Sequence, residues 1–270
     1  MHSNRFVWDF WNVPGQYTHL RTPAWEYFPK KVYDKFHERL VLWGRRTLGC
    51  HDVSPPWLSA YVTGCEQEMH GDLPHGPWAF VYSLTNWDKR IFSGGETMIL
   101  KDEVLDYWSD FTSERSIERD QVLDLIEPKF NRLIAFDPRV PHGVRRVDGT
   151  MDPAKGRLVI HGWFVQPRPF IEGPLPIVAL TEPFDQVTAV VAPHLEAGLT
   201  ITGLLSLRFT VSKLGAVSTV KLLSDTTRTN ALSEKTRKKL IRDLEGTVRT
   251  LKFPKARAES HITLPLVFER

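Results

Sequence analysis

Residues 131–164 read NRLIAFDPRVPHGVRRVDGTMDPAKGRLVIHGWF, and this stretch decides the fold. Two apolar runs separated by a segment rich in proline and glycine predict a strand, a turn and a second strand. Alternation in the second run places four residues on one face: Arg157, Val159, His161 and Trp163. An arginine buried at the inner end of such a strand needs an anionic partner, and its planar fork suits a carboxylate.

A candidate metal site spans this stretch and residues 65–80, CEQEMHGDLPHGPWAF. His70 and Asp72 are two residues apart, so on an extended backbone both side chains reach the same face. An imidazole with a carboxylate suits Fe(II), Mn(II) or Zn(II), and His142 in the turn supplies a third ligand. His75 is an alternative to His70, although its offset of three residues from Asp72 suits an extended segment less well. The alternative without a metal is that His70-Gly71-Asp72 is only a polar turn.

The remaining pattern of residues 1–170 is mainly that of strands. AFVYSL and GGETMIL are short apolar runs of strand length, and a helix is predicted at about residues 28–48. Residues 101–127 form an acidic, polar insert that fits a helix or a loop.

Together these features resemble the Fe(II)/2-oxoglutarate-dependent dioxygenases, and among them the prolyl-4-hydroxylase-like branch. The resemblance rests on His70-Gly71-Asp72, on Ser93-Gly94-Gly95-Glu96 before a strand, on His142, and on Arg157 with Trp163 six residues later. It covers residues 55–165.

This resemblance implies a mainly β double-stranded β-helix, of jelly-roll or cupin-like form, with flanking N-terminal helices. It implies that His70, Asp72 and His142 bind Fe(II) and that Arg157 binds 2-oxoglutarate, with Tyr61 as a further cosubstrate contact. It also implies O2 as cosubstrate, with ascorbate as a candidate reductant. The residues predicted to form the pocket wall or to contact substrate are Trp78, Phe80, Tyr82, His161 and Trp163, although His161 also fits a hydrogen-bonded core histidine.

The C-terminal part has a different pattern. We predict a proline-rich linker at residues 171–198, because the segment QPRPFIEGPLPIVALTEPFDQ carries five prolines. Residues 199–270 alternate, turn, alternate again, and then continue as a helix and a last strand, which predicts a small ββαβ accessory module. This module weakly resembles the C-terminal domain of TonB-type proteins, and we expect it to bind a protein, to mediate dimerisation or to pack on the barrel.

Composition excludes several classes of function. The chain has 25% charged and 41% hydrophobic residues, which is ordinary for a globular protein. A net charge of +3 does not favour nucleic acid or an anionic membrane as partner. The two cysteines do not form a disulfide framework, and no export signal or membrane-spanning run is recognisable, so the cytoplasm is the expected location.

The sequence therefore predicts an Fe(II)- and 2-oxoglutarate-dependent hydroxylase acting on a peptide residue or a small molecule. A first alternative is a natural-product or amino-acid tailoring oxygenase that ends in demethylation, desaturation or ring closure. A second is a non-catalytic scaffold or sensor that binds 2-oxoglutarate or metal. A third is a Zn(II) or Mn(II) barrel enzyme, against which the position of Arg157 argues.

Overall fold

The computed structural model describes residues 6–10, 17–72, 75–107, 114, 116 and 121–269. The chain divides into two compact units, Met1–Arg39 with Val53–Val165 and Leu40–Asp52 with Gln166–Arg270. Residues 40–52 thus belong with the C-terminal part of the chain. The domain boundaries predicted at residues 170 and 198 did not include this long-range association. Within the described residues, no helix is long and apolar enough to cross a membrane.

The first unit is built mainly from strands. Up to Pro167, the helices and strands of the whole chain, including those of residues 40–52, are in order β1 (Val7–Phe10), β2 (Tyr17–Pro23), α1 (Ala24–Tyr27), α2 (Lys30–Thr47), β3 (Cys50–Val53), β4 (Trp57–Tyr61), β5 (Glu66–His70), β6 (Trp78–Ser83), β7 (Thr97–Leu100), α3 (Asp102–Asp106), β8 (Leu123–Ile126), β9 (Leu133–Phe136), β10 (His142–Val144) and β11 (Arg157–Pro167).

Eight strands form two hydrogen-bonded rows. One row has the order β4-β11-β6-β9 and the other β5-β10-β7-β8, while β2 pairs with both β4 and β5 and joins the rows. Consecutive strands alternate between the rows except at β7 and β8, and this is the topology of a double-stranded β-helix. The predicted fold class is confirmed.

The strands predicted from periodicity are present as β6, β7, β9 and β11, and the predicted helix is α2. Within the predicted insert 101–127 lie α3 and β8. Residues 108–113, 115 and 117–120 of that insert lie outside the described residues.

The second unit contains the predicted ββαβ module. Its elements are β12 (Phe170–Glu172), α4 (Thr181–Glu196), β13 (Ile201–Val211), β14 (Val217–Asp225), β15 (Arg228–Thr229), α5 (Glu234–Thr250) and β16 (Ser260–Phe268). β13, β14, α5 and β16 give the ββαβ order, and the sheet order is β12-β16-β13-β14. One buried cluster joins sheet and helices; it includes Leu205, Leu207, Phe209, Leu240 and Leu244. The resemblance to TonB-type domains stays a prediction.

The linker predicted at residues 171–198 is wrong over most of its length. A 3₁₀ turn at Ile177–Leu180 leads directly into α4. Pro183 lies in the first turn of α4, where the missing N–H costs no intrahelical hydrogen bond. Val187 is fully buried in the cluster of the second unit, so burial of an apolar face stabilises this segment as a helix.

Candidate metal centre and cosubstrate pocket

Strand pairing brings the three candidate ligands together. His70 ends β5, His142 begins β10, and the two residues are direct partners in the antiparallel register. Asp72 follows β5, and its backbone N–H donates to Pro138 O at 2.7 Å. As a result, one ligand atom from each of the three side chains lies within 4.8 Å of the others.

Both histidines are held in the tautomer that a metal needs. His70 Nδ1 lies 2.7 Å from Glu68 O, and His142 Nδ1 lies 2.9 Å from Val140 O. A carbonyl oxygen only accepts, so each Nδ1 carries a proton, and Nε2 is the nitrogen that can bind a metal once it has lost its own proton. The two Nε2 atoms face Asp72, at 3.5 Å from Oδ1 for His70 and 3.6 Å from Oδ2 for His142. This arrangement matches the carbonyl-supported histidine ligands of metal sites.

The charge states also suit a divalent cation. Burial lowers the pKa of His70, which favours its neutral, ligating form. Burial acts to raise the pKa of Asp72, but the hydrogen bond and charge of His142, with the charges of His70 and His75, outweigh it and lower that pKa. Asp72 is therefore ionised at neutral pH.

Arg157 lies in the same cavity with most of its donors unused. Its side chain is 1% exposed, and Nη2 donates to Thr97 Oγ1 at 3.1 Å. Its Nε and Nη1 make no hydrogen bond within the described part of the chain. The guanidinium carbon lies 4.6 Å from the centre of the Tyr61 ring. Burial lowers the pKa of Arg157, while Tyr61 and Glu96 oppose that shift.

Ligands and arginine share a cavity of about 540 Å³ enclosed by the two rows of strands. A volume in the range of 300–1,000 Å³ is typical of pockets for small molecules and cofactors. The cavity has room for a metal ion, a dicarboxylic acid and a further group.

The comparisons with known proteins agree with this geometry. Residues 56–165 match the family model of the 2OG-Fe(II) oxygenase superfamily, and that segment holds the three candidate ligands and Arg157. Residues 56–165 are thus similar to 2OG-Fe(II) oxygenases, and the chain is an oxygenase, as predicted.

Eighteen chains of solved structures also match. One of them is the crystal structure of a Pseudomonas putida prolyl-4-hydroxylase, at 18% sequence identity and a TM-score of 0.38. That match covers 57% of this chain and 75% of the prolyl-4-hydroxylase chain. No curated protein sequence matches this chain.

In the oxygenase domain, the structure separates the predicted pocket residues into two groups. His161 and Trp163 line the cavity, and so does Tyr61, which the sequence predicted as a cosubstrate contact. Phe80 borders the cavity, but its ring packs on Phe164 with 5.2 Å between centroids. Trp78 and Tyr82 are not among the described residues that line the cavity.

The register between β6 and β11 explains why the sequence analysis assigned the cavity lining to the wrong face of β6. Val81 pairs with His161 and Ala79 with Trp163, so the small residues of β6 face inward. Tyr82 is on the opposite face, where its hydroxyl donates to Asn131 Oδ1 at 2.6 Å. The prediction that Trp78 and Tyr82 line the pocket is therefore wrong.

His75 lies apart from the ligand cluster. It is exposed, and its ring lies 4.5 Å from the centre of the Trp163 ring at 31°. The group that could hold a metal is formed by His70, Asp72 and His142 instead.

Several cavity residues were missed from the sequence, among them the polar residues His19, Arg21 and Gln67. Gln67 Nε2 donates to His70 Nε2 at 3.2 Å. His19 and Arg21 lie two residues apart in β2, YTHLRTP, so they share one face of the strand. The other face carries Thr18, Leu20 and Thr22, so polarity alone was a weak signal for which face points inward.

His161 is a neutral hydrogen-bonding group in the wall. Its Nε2 lies 2.8 Å from Ser59 Oγ. Burial, followed by the charges of Arg157 and Arg21, lowers the pKa of His161 to about 4. The pairing with Ser59 agrees with the alternative of a hydrogen-bonded histidine, and its position in the lining agrees with a contact to substrate.

This lowered pKa predicts a loss of stability in acid. Between pH 6.5 and about 4 the unfolded chain binds a proton at His161 that the folded chain does not. The free energy of unfolding therefore keeps its full value above pH 6.5, as far as His161 is concerned, and decreases as the pH falls towards 4. We expect His161→Gln to lose less free energy of unfolding than the wild type between pH 7 and pH 4.5, as measured by urea unfolding. Equal losses in both proteins would contradict the buried, neutral state of His161.

Proposed function

We propose that this oxygenase depends on Fe(II), 2-oxoglutarate and O2 and hydroxylates a C–H bond of a small molecule or a peptide residue. One observation carries the proposal: a His-Asp-His cluster and a buried arginine with unused donors face the same cavity. Succinate and CO2 are the expected co-products, and ascorbate is a candidate reductant.

The donor set fits Fe(II). Two imidazoles and one carboxylate, with space in front of them, form the facial triad of non-haem Fe(II) oxygenases. In this chain those ligands would be His70, Asp72 and His142. Gln67 lies beside His70 and can donate a hydrogen bond to a further ligand of the metal.

The environment of Arg157 fits a dicarboxylate cosubstrate. A buried guanidinium with two unsatisfied nitrogens is costly unless an anion pairs with it. A carboxylate can accept two hydrogen bonds from the fork of Arg157. Thr97 holds Nη2 of that fork, and the ring of Tyr61 lies against the guanidinium. A Zn(II) or Mn(II) enzyme that uses only water has no need of this cation, so Arg157 favours a 2-oxo acid.

The protein's own residues position and enclose the reactants. Bound Fe(II) with 2-oxoglutarate and O2 supplies the oxidising power for C–H cleavage. Asp72 and the two histidines fix the metal, Arg157 fixes the far carboxylate, and the indole of Trp163 with the side chains of β6 excludes water. Neutral His161 adds a hydrogen-bonding group without adding charge beside Arg157.

Two other outcomes remain as alternative proposals. The same site can serve demethylation, desaturation or ring closure of a natural product or amino acid. A non-catalytic scaffold has no use for ligands that leave metal positions open, so the cluster argues against it. For the C-terminal module we propose a role in binding a protein or a second copy of the chain.

The test is an anaerobic titration of metal-free protein with Fe(II) and then 2-oxoglutarate. We expect a visible metal-to-ligand charge-transfer band that requires both additions, and succinate formation once O2 is admitted. The same titration with Zn(II) is the control, since it gives no such band. Failure to form the band with Fe(II) bound would contradict the proposal.

A further inference from the structure

A second cation faces the cavity, and the proposed iron and 2-oxoglutarate sites do not use it. Arg21 of β2 lines the cavity, with its guanidinium carbon 4.2 Å from the centre of the Trp57 ring. Its Nε lies 2.7 Å from Asp9 Oδ2. Stacking on Trp57 fixes the plane of the guanidinium, and Asp9 holds one edge of it.

Within the part of the chain that the structure describes, the guanidinium of Arg21 makes an ion pair but no hydrogen bond. Asp9 Oδ2 is buried and has no hydrogen-bond partner among the described residues, so its contact with Arg21 is ionic but lacks hydrogen-bond geometry. The side chain of Arg21 is 28% exposed. A bidentate acceptor in the cavity could therefore take the N–H groups that Asp9 leaves unused.

Besides Asp9 and Trp57, Arg21 has neighbours that are polar and uncharged. Ser59 is its partner in the β2–β4 register, and Ser59 Oγ lies 2.8 Å from His161 Nε2. The charge of Arg21 helps to lower the pKa of both His161 and His19, after burial itself. Arg21 thus packs on the indole of Trp57. The hydroxyl of Ser59 and the neutral imidazoles of His161 and His19 are its polar neighbours.

This group of residues is separate from the cosubstrate position. Arg157 is the register partner of Tyr61 on one side of β4, while Arg21 lies on β2, on the other side of β4. Arg157 also bonds Thr97 of β7, to which no contact of Arg21 is seen in the described chain. Two arginines on different strands let one cavity hold two acidic groups.

We propose that Arg21, supported by Ser59 and His161 and seated on Trp57, binds a carboxylate of the primary substrate. The substrate class is then a molecule with a free carboxylate, either a free amino acid or the C-terminal residue of a peptide. This inference rests on the proposed function, since it places the substrate beside the iron and 2-oxoglutarate. An internal peptide segment without a carboxylate does not satisfy Arg21.

The first arm of the test uses the full chain, held anaerobic and saturated with Fe(II) and 2-oxoglutarate. N-acetylglycine represents a peptide C-terminus, glycine a free amino acid, and N-acetylglycinamide the matched neutral control. We expect one of the two acids to bind by calorimetry and the amide not to bind. Arg21→Gln should weaken acid binding at least about 10-fold, since a charge-assisted pair is lost.

Asp9→Asn gives a prediction of opposite sign. Without its own counterion, Arg21 should bind the acid more tightly than in the wild type, whereas a merely structural ion pair would give loss or no change. Arg21→Lys keeps the charge and loses the fork, so binding should weaken but remain stronger than in Arg21→Gln. If Arg21→Gln does not fold, as judged by circular dichroism, Arg21→Lys and Asp9→Asn decide the test.

The second arm separates this proposal from the proposed function. Metal-free Arg157→Gln protein, without 2-oxoglutarate, removes the other cation of the cavity. The contrast between acid and amide, and its dependence on Arg21, should persist there even if the charge-transfer test has failed. Equal binding of acid and amide, no binding of either acid up to about 100 mM, or affinities unaffected by Arg21 substitutions would overturn the assignment.

Discussion

We expect His70→Ala to abolish Fe(II) binding by this protein and His75→Ala to leave it intact. Loss of a supporting hydrogen bond alone weakens metal sites by about 10- to 100-fold, so loss of a ligand should weaken Fe(II) affinity by at least about 100-fold. His75 is the matched control, because it is the other histidine of the same segment and it stacks on Trp163 outside the cluster. Equilibrium dialysis against Fe(II) under anaerobic conditions measures both affinities.

The two variants also decide the ambiguity in the sequence. Asp72 follows His70 by two residues and precedes His75 by three. In the structure, only the first spacing places an imidazole across from His142 in the β5–β10 register. Retention of Fe(II) in His70→Ala together with its loss in His75→Ala would refute the described cluster.

The candidate site was largely predictable, because its signals are local. His70-Gly71-Asp72 is an i, i+2 pair at the end of a strand, and Arg157 stands at the first position of an alternating strand. Both patterns follow from the period of two in an extended backbone. His142 completes the set through its order in the chain, and the register later placed it directly opposite His70.

The wall of the pocket was less predictable, since it depends on which strands are neighbours. In β6 the aromatic residues Trp78, Phe80 and Tyr82 alternate with Ala79 and Val81, and either set could face inward. The pairing of β6 with β11 settles the choice in favour of the small residues. A single sequence does not contain that register.

Two further parts of the fold depended on long-range packing. Residues 40–52 associate with the C-terminal unit, more than a hundred residues away in sequence. The prolines before α4 suggested an extended arm, but Leu180 and Val187 bury an apolar stripe that turns the segment into a helix. The low helix propensity of proline predicted an extended segment there, which was wrong, because burial of apolar side chains outweighs local propensity.

Arg157→Met should change two properties in opposite directions. Binding of 2-oxoglutarate to the Fe(II) protein should weaken at least about 30-fold, since truncating one partner of a buried charge pair costs about 2 kcal/mol or more. The free energy of unfolding of the cofactor-free protein should rise by about 1–3 kcal/mol, because a buried cation with two unsatisfied nitrogens is replaced by an apolar chain of similar length. Titration of the charge-transfer band measures the first effect, and urea unfolding measures the second.

The matched control is Arg146→Met. The side chain of Arg146 is 64% exposed, and its Nη1 lies 3.7 Å from Glu66 Oε1. Breaking an exposed ion pair of this kind changes stability by at most about 1 kcal/mol and should leave 2-oxoglutarate binding unchanged. A loss of stability in Arg157→Met would mean that Tyr61, Thr97 and Glu96 already satisfy the guanidinium in the cofactor-free state. In that case Arg157 would be a structural ion pair and the carboxylate of 2-oxoglutarate would have to bind elsewhere. A gain of stability with loss of binding means that the fold carries an uncompensated charge until the cosubstrate neutralises it.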